Sequence, residues 1–285
     1  IMAKYTNYLM LLPGLILCVL FLIIPLGIIL RISLSESVST AEFEIHGLTL
    51  EGYVRYFTSP QALTILLNTF GTALLTCLIC FVVAYPFAYF LTFHIENVKL
   101  KSYIISLLMV PFLIDWNIRT IAWIPILGDK GIVNSALMSL GVIEKPMSFL
   151  FGRIGLHMIW LQTFVLFMMF PIYLALNRID PELIQAARVL KAPPHRVFYD
   201  IIFKLSLPGV ICGWIFVFVS TLGDFLTPGL WGGGLQTLGL SISVFFGKNV
   251  WPYACTLSII MIVIALALLY ILLKIVDIKK LVYER

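Results

Sequence analysis

The chain has 285 residues, of which 61% are hydrophobic and 12% charged, with a formal net charge of +5 and a mean hydropathy of +1.05. That is too little polar surface to cover a water-soluble globule, so the chain belongs in a bilayer. Arg119 apart, the positive charge sits at the ends of the apolar runs and in the segments outside them, which points to membrane topology and excludes a nucleic-acid-binding face.

A helix needs about 20 apolar residues to cross roughly 30 Å of hydrocarbon. Six such runs follow one another at 9–31, 63–92, 103–127, 154–176, 205–228 and 251–273. The first is too long for a cleaved signal peptide and no A-x-A site follows it, so a retained span is expected. Pro13, Pro25, Pro86, Pro111 and Pro171 lie inside the runs. Kinked helices are expected there, because neighbouring helices re-satisfy the freed carbonyls. The third run is the least uniform, since Asp115 and Arg119 interrupt it.

Lys and Arg number twelve in one set of connecting segments (the N-terminus, 93–102, 177–204 and 274–285) against six in the other. The excess predicts that both termini are cytoplasmic. Segments 32–62, 128–153 and 229–250 then lie outside, long enough for short helices and too short for domains.

Signatures of chemistry are scarce. Cys18, Cys77, Cys80, Cys212 and Cys255 all fall inside apolar runs, and the C-x-x-C at 77–80 has no partner ligands, so packing is the expected role. The glycine cluster of "GLWGGGLQTLG" (229–239) lacks a P-loop lysine, and neither H-E-x-x-H nor G-x-S-x-G occurs. No catalytic residue, metal site or cofactor is expected on this chain. A conduit driven by machinery elsewhere fits better.

Residues 179–209, "IDPELIQAARVLKAPPHRVFYDIIFKLSLPG", read instead like a soluble surface. Asp180 is a candidate N-cap, Pro181 suits the first helical position and Glu182 the first turn. Leu183, Ala186, Ala187 and Leu190 fall on one apolar face, with Gln185, Arg188 and Lys191 around it. "KAPPH" stops this helix, and a second segment at 196–207 runs on into the fifth span. A protruding knob at 178–204 is expected.

The stretch "QAARVLKAPPHRVFYDIIFKLSLPG" resembles the E-A-A-x-x-x-G loop of ABC importer permeases. Gln185, Lys191 and Lys204 depart from the usual Glu, Gly and Pro, so the family loop's detailed contacts are not carried across. "MVPFLIDWNIRTIAWIPILGDKGIVNSALMSLGVIEKP" (109–146) and "STLGDFLTPGLWGGGLQTLGLSISVFFGKNVWPYACTLS" (220–258) resemble the spermidine/putrescine importer permeases in particular. The resemblance implies an all-α integral membrane protein with the type I ABC importer permease architecture. It would form one transmembrane domain, 1–285, with six transmembrane helices, in the bacterial cytoplasmic (inner) membrane. It also implies a heterodimer with a second homologous permease, two ATP-binding subunits holding ATP and Mg, an extracytoplasmic substrate-binding protein, and a polyamine as cargo. Gln185, Ala186, Ala187, Arg188, Leu190 and Ala192 would dock the ATPase.

Carboxylates at membrane depth normally pair or face a cavity. Asp115 has Arg119 one helical turn on, so pairing and a pathway role both stand. Asp224 has no basic neighbour in sequence; beside Trp231 it suits an ammonium group by charge and cation–π attraction, or else caps a helix. Asp115, Trp116, Asn117, Trp123 and Asp224 are the candidate pathway residues. Trp160, Trp214, Trp231 and Trp251, near span ends, are expected in the interfacial belt. The G-x-x-x-G at Gly209 and Gly213 permits close helix approach, with the second permease as one partner weighed. Two alternatives remain open: the same architecture importing iron(III) or a phosphonate, and an intramembrane enzyme using Asp115 and Asp224 as a carboxylate pair.

Overall fold

The structure is a computed structural model describing residues 13–38 and 45–275, without the side chains of Trp116, Asn117, Leu272 and Ile275. Lys4, Lys279, Lys280 and Arg285 of the topology argument lie outside the described residues. In chain order, α1 (Pro13–Ser33) precedes β1 (Ser37–Val38) and β2 (Ile45–His46), an antiparallel pair with Ser37 opposite His46. Next come α2 (Glu51–Thr58) and α3 (Ala62–Phe93). Then α4 (Val98–Met109), a 3-10 turn (Val110–Leu113), and the short α5 (Trp116–Ile121), α6 (Ile124–Leu127) and α7 (Ile132–Ser139) lead to α8 (Arg153–Leu176). Finally come α9 (Pro181–Val189), α10 (Pro194–Gly223), α11 (Leu226–Trp231), α12 (Leu238–Gly247) and α13 (Trp251–Ile275).

α1, α3, α8, α10 and the Trp251–Ile271 part of α13 are each long and apolar enough to cross a bilayer. The third run departs from a single span over 103–127. Val98–Leu113 and Ile118–Ser139 pass as one span only together, bent by 97°. Pro111 gives no N–H to the ladder, the chain tightens into the 3-10 turn, and Ile114 is extended at φ −97°, ψ 130°. The fifth span also shifts. It starts at Pro194 because the knob's second half is continuous with it, and it stops at Gly223 because Asp224 turns the chain.

Two stretches widen into π-helix, Val19–Ile23 within α1 and Val197–Phe203 within α10. The first lies just ahead of Pro25, where a wider turn relieves the clash between the ring and the carbonyl one turn earlier.

The described residues form two compact units: those up to Ile65 with Leu238–Ala267, and Leu66–Thr237 with those from Leu268 onward. In the first, α2 closes on the start of α13 so tightly that a Cβ on Gly52 would lie 2.6 Å from Thr256 Oγ1. The Thr256 hydroxyl donates to the Ser33 carbonyl at 3.2 Å, and the Arg55 guanidinium sits 5.0 Å over the Tyr253 ring. Tyr56 is buried and donates to the Ala62 carbonyl at 3.3 Å. Burial, helped by Tyr253, pushes its phenol up to about 12, so it remains a neutral donor near pH 7.

In the second unit α8 packs along α10, and Trp160, Met168, Ile172, Leu176 and Val217 are buried. The G-x-x-x-G explains the closeness. A Cβ on Gly209 would meet Ala175 Cβ at 2.6 Å, and one on Gly213 would meet Met168 Sδ at 2.7 Å. These glycines therefore serve packing within the chain, not contact with a second permease. Cys77 and Cys80 are buried and free, as packing residues are.

Candidate functional site

Asp224 ends α10 and opens α11. Its backbone is extended (ψ 113°), and Oδ1 accepts from the amides of Leu226 (3.0 Å) and Thr227 (3.1 Å), two donors that a helix start leaves orphaned. Oδ2 accepts from Trp160 Nε1 at 2.6 Å and from the Thr227 hydroxyl. The cap reading of Asp224 is thus met. The indole on it belongs to Trp160 of α8 and not, as expected, to Trp231. Trp160 and Trp231 are both buried, so neither is a belt residue.

Asp224 also lines a cleft of about 400 Å³ together with Phe112, Arg119, Phe164, Phe167 and Phe225. Phe112 and Phe167 meet edge to face at 5.4 Å between centroids. Thr163 and Ser220 bring hydroxyls, and Arg119 Nε is buried without a hydrogen-bond partner among the described residues. An apolar wall carrying a few convergent polar groups is the usual make-up of a small-molecule site.

Other sequence-predicted residues lie elsewhere. Asp115 is exposed at the break before α5, where its carbonyl accepts from the Arg119 amide at 3.2 Å. It is not among the residues lining the cleft, so the cleft does not unite Asp115 and Asp224 as a catalytic pair. Trp123 packs on Leu127, Leu150, Ile159 and Trp231, and its Nε1 donates to Gln162 Oε1 at 2.5 Å. The side chains of Trp116 and Asn117 lie outside the described residues. Phe112 and Arg119 stood within the quoted 109–146 segment, while Phe164 and Phe167 had no signal, being apolar residues in an apolar run.

The start of the knob folds as its sequence directs. Asp180 Oδ1 accepts from the Glu182 amide at 2.9 Å and Pro181 takes the first helical position. Ile184 is the buried residue of α9, which packs on the π-helical stretch. Leu183, Ala186, Val189 and Leu190 are exposed, Val189 and Leu190 each at 81%. Ala187 and Ala192 are half-buried, whereas Gln185 and Arg188 are exposed. α9 ends in a left-handed turn at Lys191 (φ 58°), with Ala192 N–H on the Ala187 carbonyl (3.0 Å) and Lys191 N–H on the Arg188 carbonyl (2.9 Å). This is a Schellman closure. Lysine at 191 therefore keeps the turn that glycine would make. Lys204 forms a surface pair with Asp200 at 3.1 Å, a contact of small energetic weight.

Residues 99–280 match the family of binding-protein-dependent transport system inner membrane components. The chain is 33% identical over 218 residues to the spermidine/putrescine transport system permease protein PotB of Salmonella typhimurium, covering 76% of this chain and 75% of that one. It is 27% identical over 255 residues to the PotB protein of Haemophilus influenzae, covering 89% and 88%. Among solved structures it is similar to a chain of a bacterial alginate ABC transporter in complex with an alginate pentasaccharide-bound periplasmic protein. That match has a TM-score of 0.74 at 18% identity, with 95% of this chain and 94% of that chain covered.

Proposed function

Since the chain belongs to the family of binding-protein-dependent transport system inner membrane components, multi-pass permeases of ABC importers, we propose that it translocates a polyamine such as spermidine or putrescine across that membrane. A second permease, two ATP-binding subunits and an external binding protein complete the machine. The knob faces the cytoplasm and is gripped by an ATPase, so closure of the ATPases on ATP turns the pathway outward and hydrolysis resets it. The permease supplies pathway and lever while hydrolysis belongs to the partners.

The observation that carries this reading is α9, a short capped helix that leaves Leu183, Val189 and Leu190 exposed outside the apolar spans. The polyamine assignment is supported by the named relatives and by the cleft. Phenyl faces attract ammonium groups, and Asp224 adds a negative charge. Arg119 balances that charge, so a polycation is passed on and not held, which is what conduction demands.

The test is uptake of labelled spermidine by the reconstituted complex. Asp224→Asn is expected to cut uptake about tenfold, the worth of a charge-assisted contact, while hydrolysis stimulated by the loaded binding protein persists. Absence of spermidine uptake in wild type refutes the solute, and unchanged uptake in Asp224→Asn refutes the site.

A further inference from the structure

Where the knob joins α10, the helix is π-helical over Val197–Phe203, and α3 meets it through aromatic rings. Phe198 lies edge-on to both Tyr85 (5.9 Å) and Tyr89 (5.8 Å), and Phe203 is 5.7 Å from Tyr85. Beneath the rings the hydroxyls of Tyr85 and Ser206 are 3.0 Å apart. Ser206 Oγ donates to the Phe203 carbonyl at 2.9 Å, which uses its single proton, so Tyr85 is the donor to Ser206. Both residues are buried. The chain Tyr85 to Ser206 to Phe203 therefore ties α3 to the carbonyl at the end of the π-helical stretch.

We infer that Tyr85, Ser206 and Phe198 form a latch that transmits displacement of α9 to α3, with Tyr85 acting as a positioning residue for coupled transport. α9 packs on the π-helical stretch, so force on the knob reaches that stretch first. A π-helical turn holds one residue more than an α turn. Rewinding it rotates the flanking segments by about 100° relative to each other. That rotation takes Ser206 away from Tyr85 and Phe198 away from both tyrosines. The latch thus has two discrete arrangements, as a mechanical coupling requires. It rests on the reading of α9 as the ATPase contact.

The experiment measures radiolabelled spermidine uptake and ATP hydrolysis in the same proteoliposomes carrying the full complex. Tyr85→Phe and Ser206→Ala keep every ring and lose the shared hydrogen bond. ATP hydrolysed per spermidine imported is expected to rise about fivefold in each, and no further in the double variant, because both remove one interaction. A ratio unchanged in both single variants overturns the latch. A parallel fall of uptake and hydrolysis does so too, since that is what a purely structural role produces. If wild type imports no spermidine, the solute assignment falls while the latch is still read from hydrolysis. Each variant is then expected to hydrolyse ATP in proteoliposomes to which no binding protein is added, at several times the wild-type rate there, and a rate equal to wild type overturns it.

Discussion

Asn134 is wholly buried and uses its amide on both sides, donating to the carbonyls of Gly128 (3.0 Å) and Met147 (2.9 Å) and accepting from the Met147 amide (2.9 Å). One side chain thus closes the segment between α6 and α8 in place of a strand pair. Asn134→Ala strands three backbone groups and is expected to cost about 3 kcal/mol. The readout is a lower midpoint of thermal unfolding in detergent with faster proteolysis over 140–148; an unchanged midpoint contradicts it. The sequence showed an asparagine within the 109–146 segment but not its partner, because Met147 follows at an irregular spacing. Asp224 was equally half-legible. A carboxylate after an apolar run announces a cap or a cavity, and only the fold shows it capping α11 while Trp160 arrives from α8.

Helix ends and kinks divide the same way at the element scale. The start of α9 could be read from Asp180, Pro181 and Glu182, because N-capping is local chemistry. Its stop was read from "KAPPH", but the turn that closes it was not, since lysine has no preference for the left-handed conformation that Lys191 adopts. Lys191→Gly removes that strain and is expected to stabilise the knob by about 1 kcal/mol, partly offset by the freedom glycine gains when unfolded. Slower amide exchange at Leu190 and Ala192 is the measurement, and faster exchange sinks the argument. The break at Ile114 and Asp115 was signalled by Pro111 and a charge, yet its 97° angle was not. Proline removes a hydrogen bond, and tertiary packing then decides how far the chain turns.

For the whole molecule, the exposed apolar end of α9 sets the expected assembly. Leu190→Ala is expected to weaken binding of the purified ATPase to the permease pair about tenfold, as truncation of an interface anchor does. Leu266→Ala, an exposed leucine on α13, is expected to change nothing. Equal affinities for all three chains remove Leu190 from the interface. The latch beneath the knob adds a separate expectation, because its variants leave this binding intact and alter only the ratio of hydrolysis to uptake.

Composition and apolar run length by themselves determined that the chain is helical and membrane-spanning, and they located five of its spans to within a few residues, apart from the ends of the fifth. A bilayer admits few backbone solutions, and hydropathy reports them directly. The amphipathic 179–209 stretch likewise announced a knob. The tertiary structure decided which residues meet. It placed Arg119 and four phenylalanines beside Asp224, left Trp123 in a separate packed cluster, and set Gly209 and Gly213 of α10 against α8. Such pairings join residues far apart in sequence, and in a uniformly apolar chain no local pattern separates a phenylalanine that lines a cleft from one that packs against its neighbours.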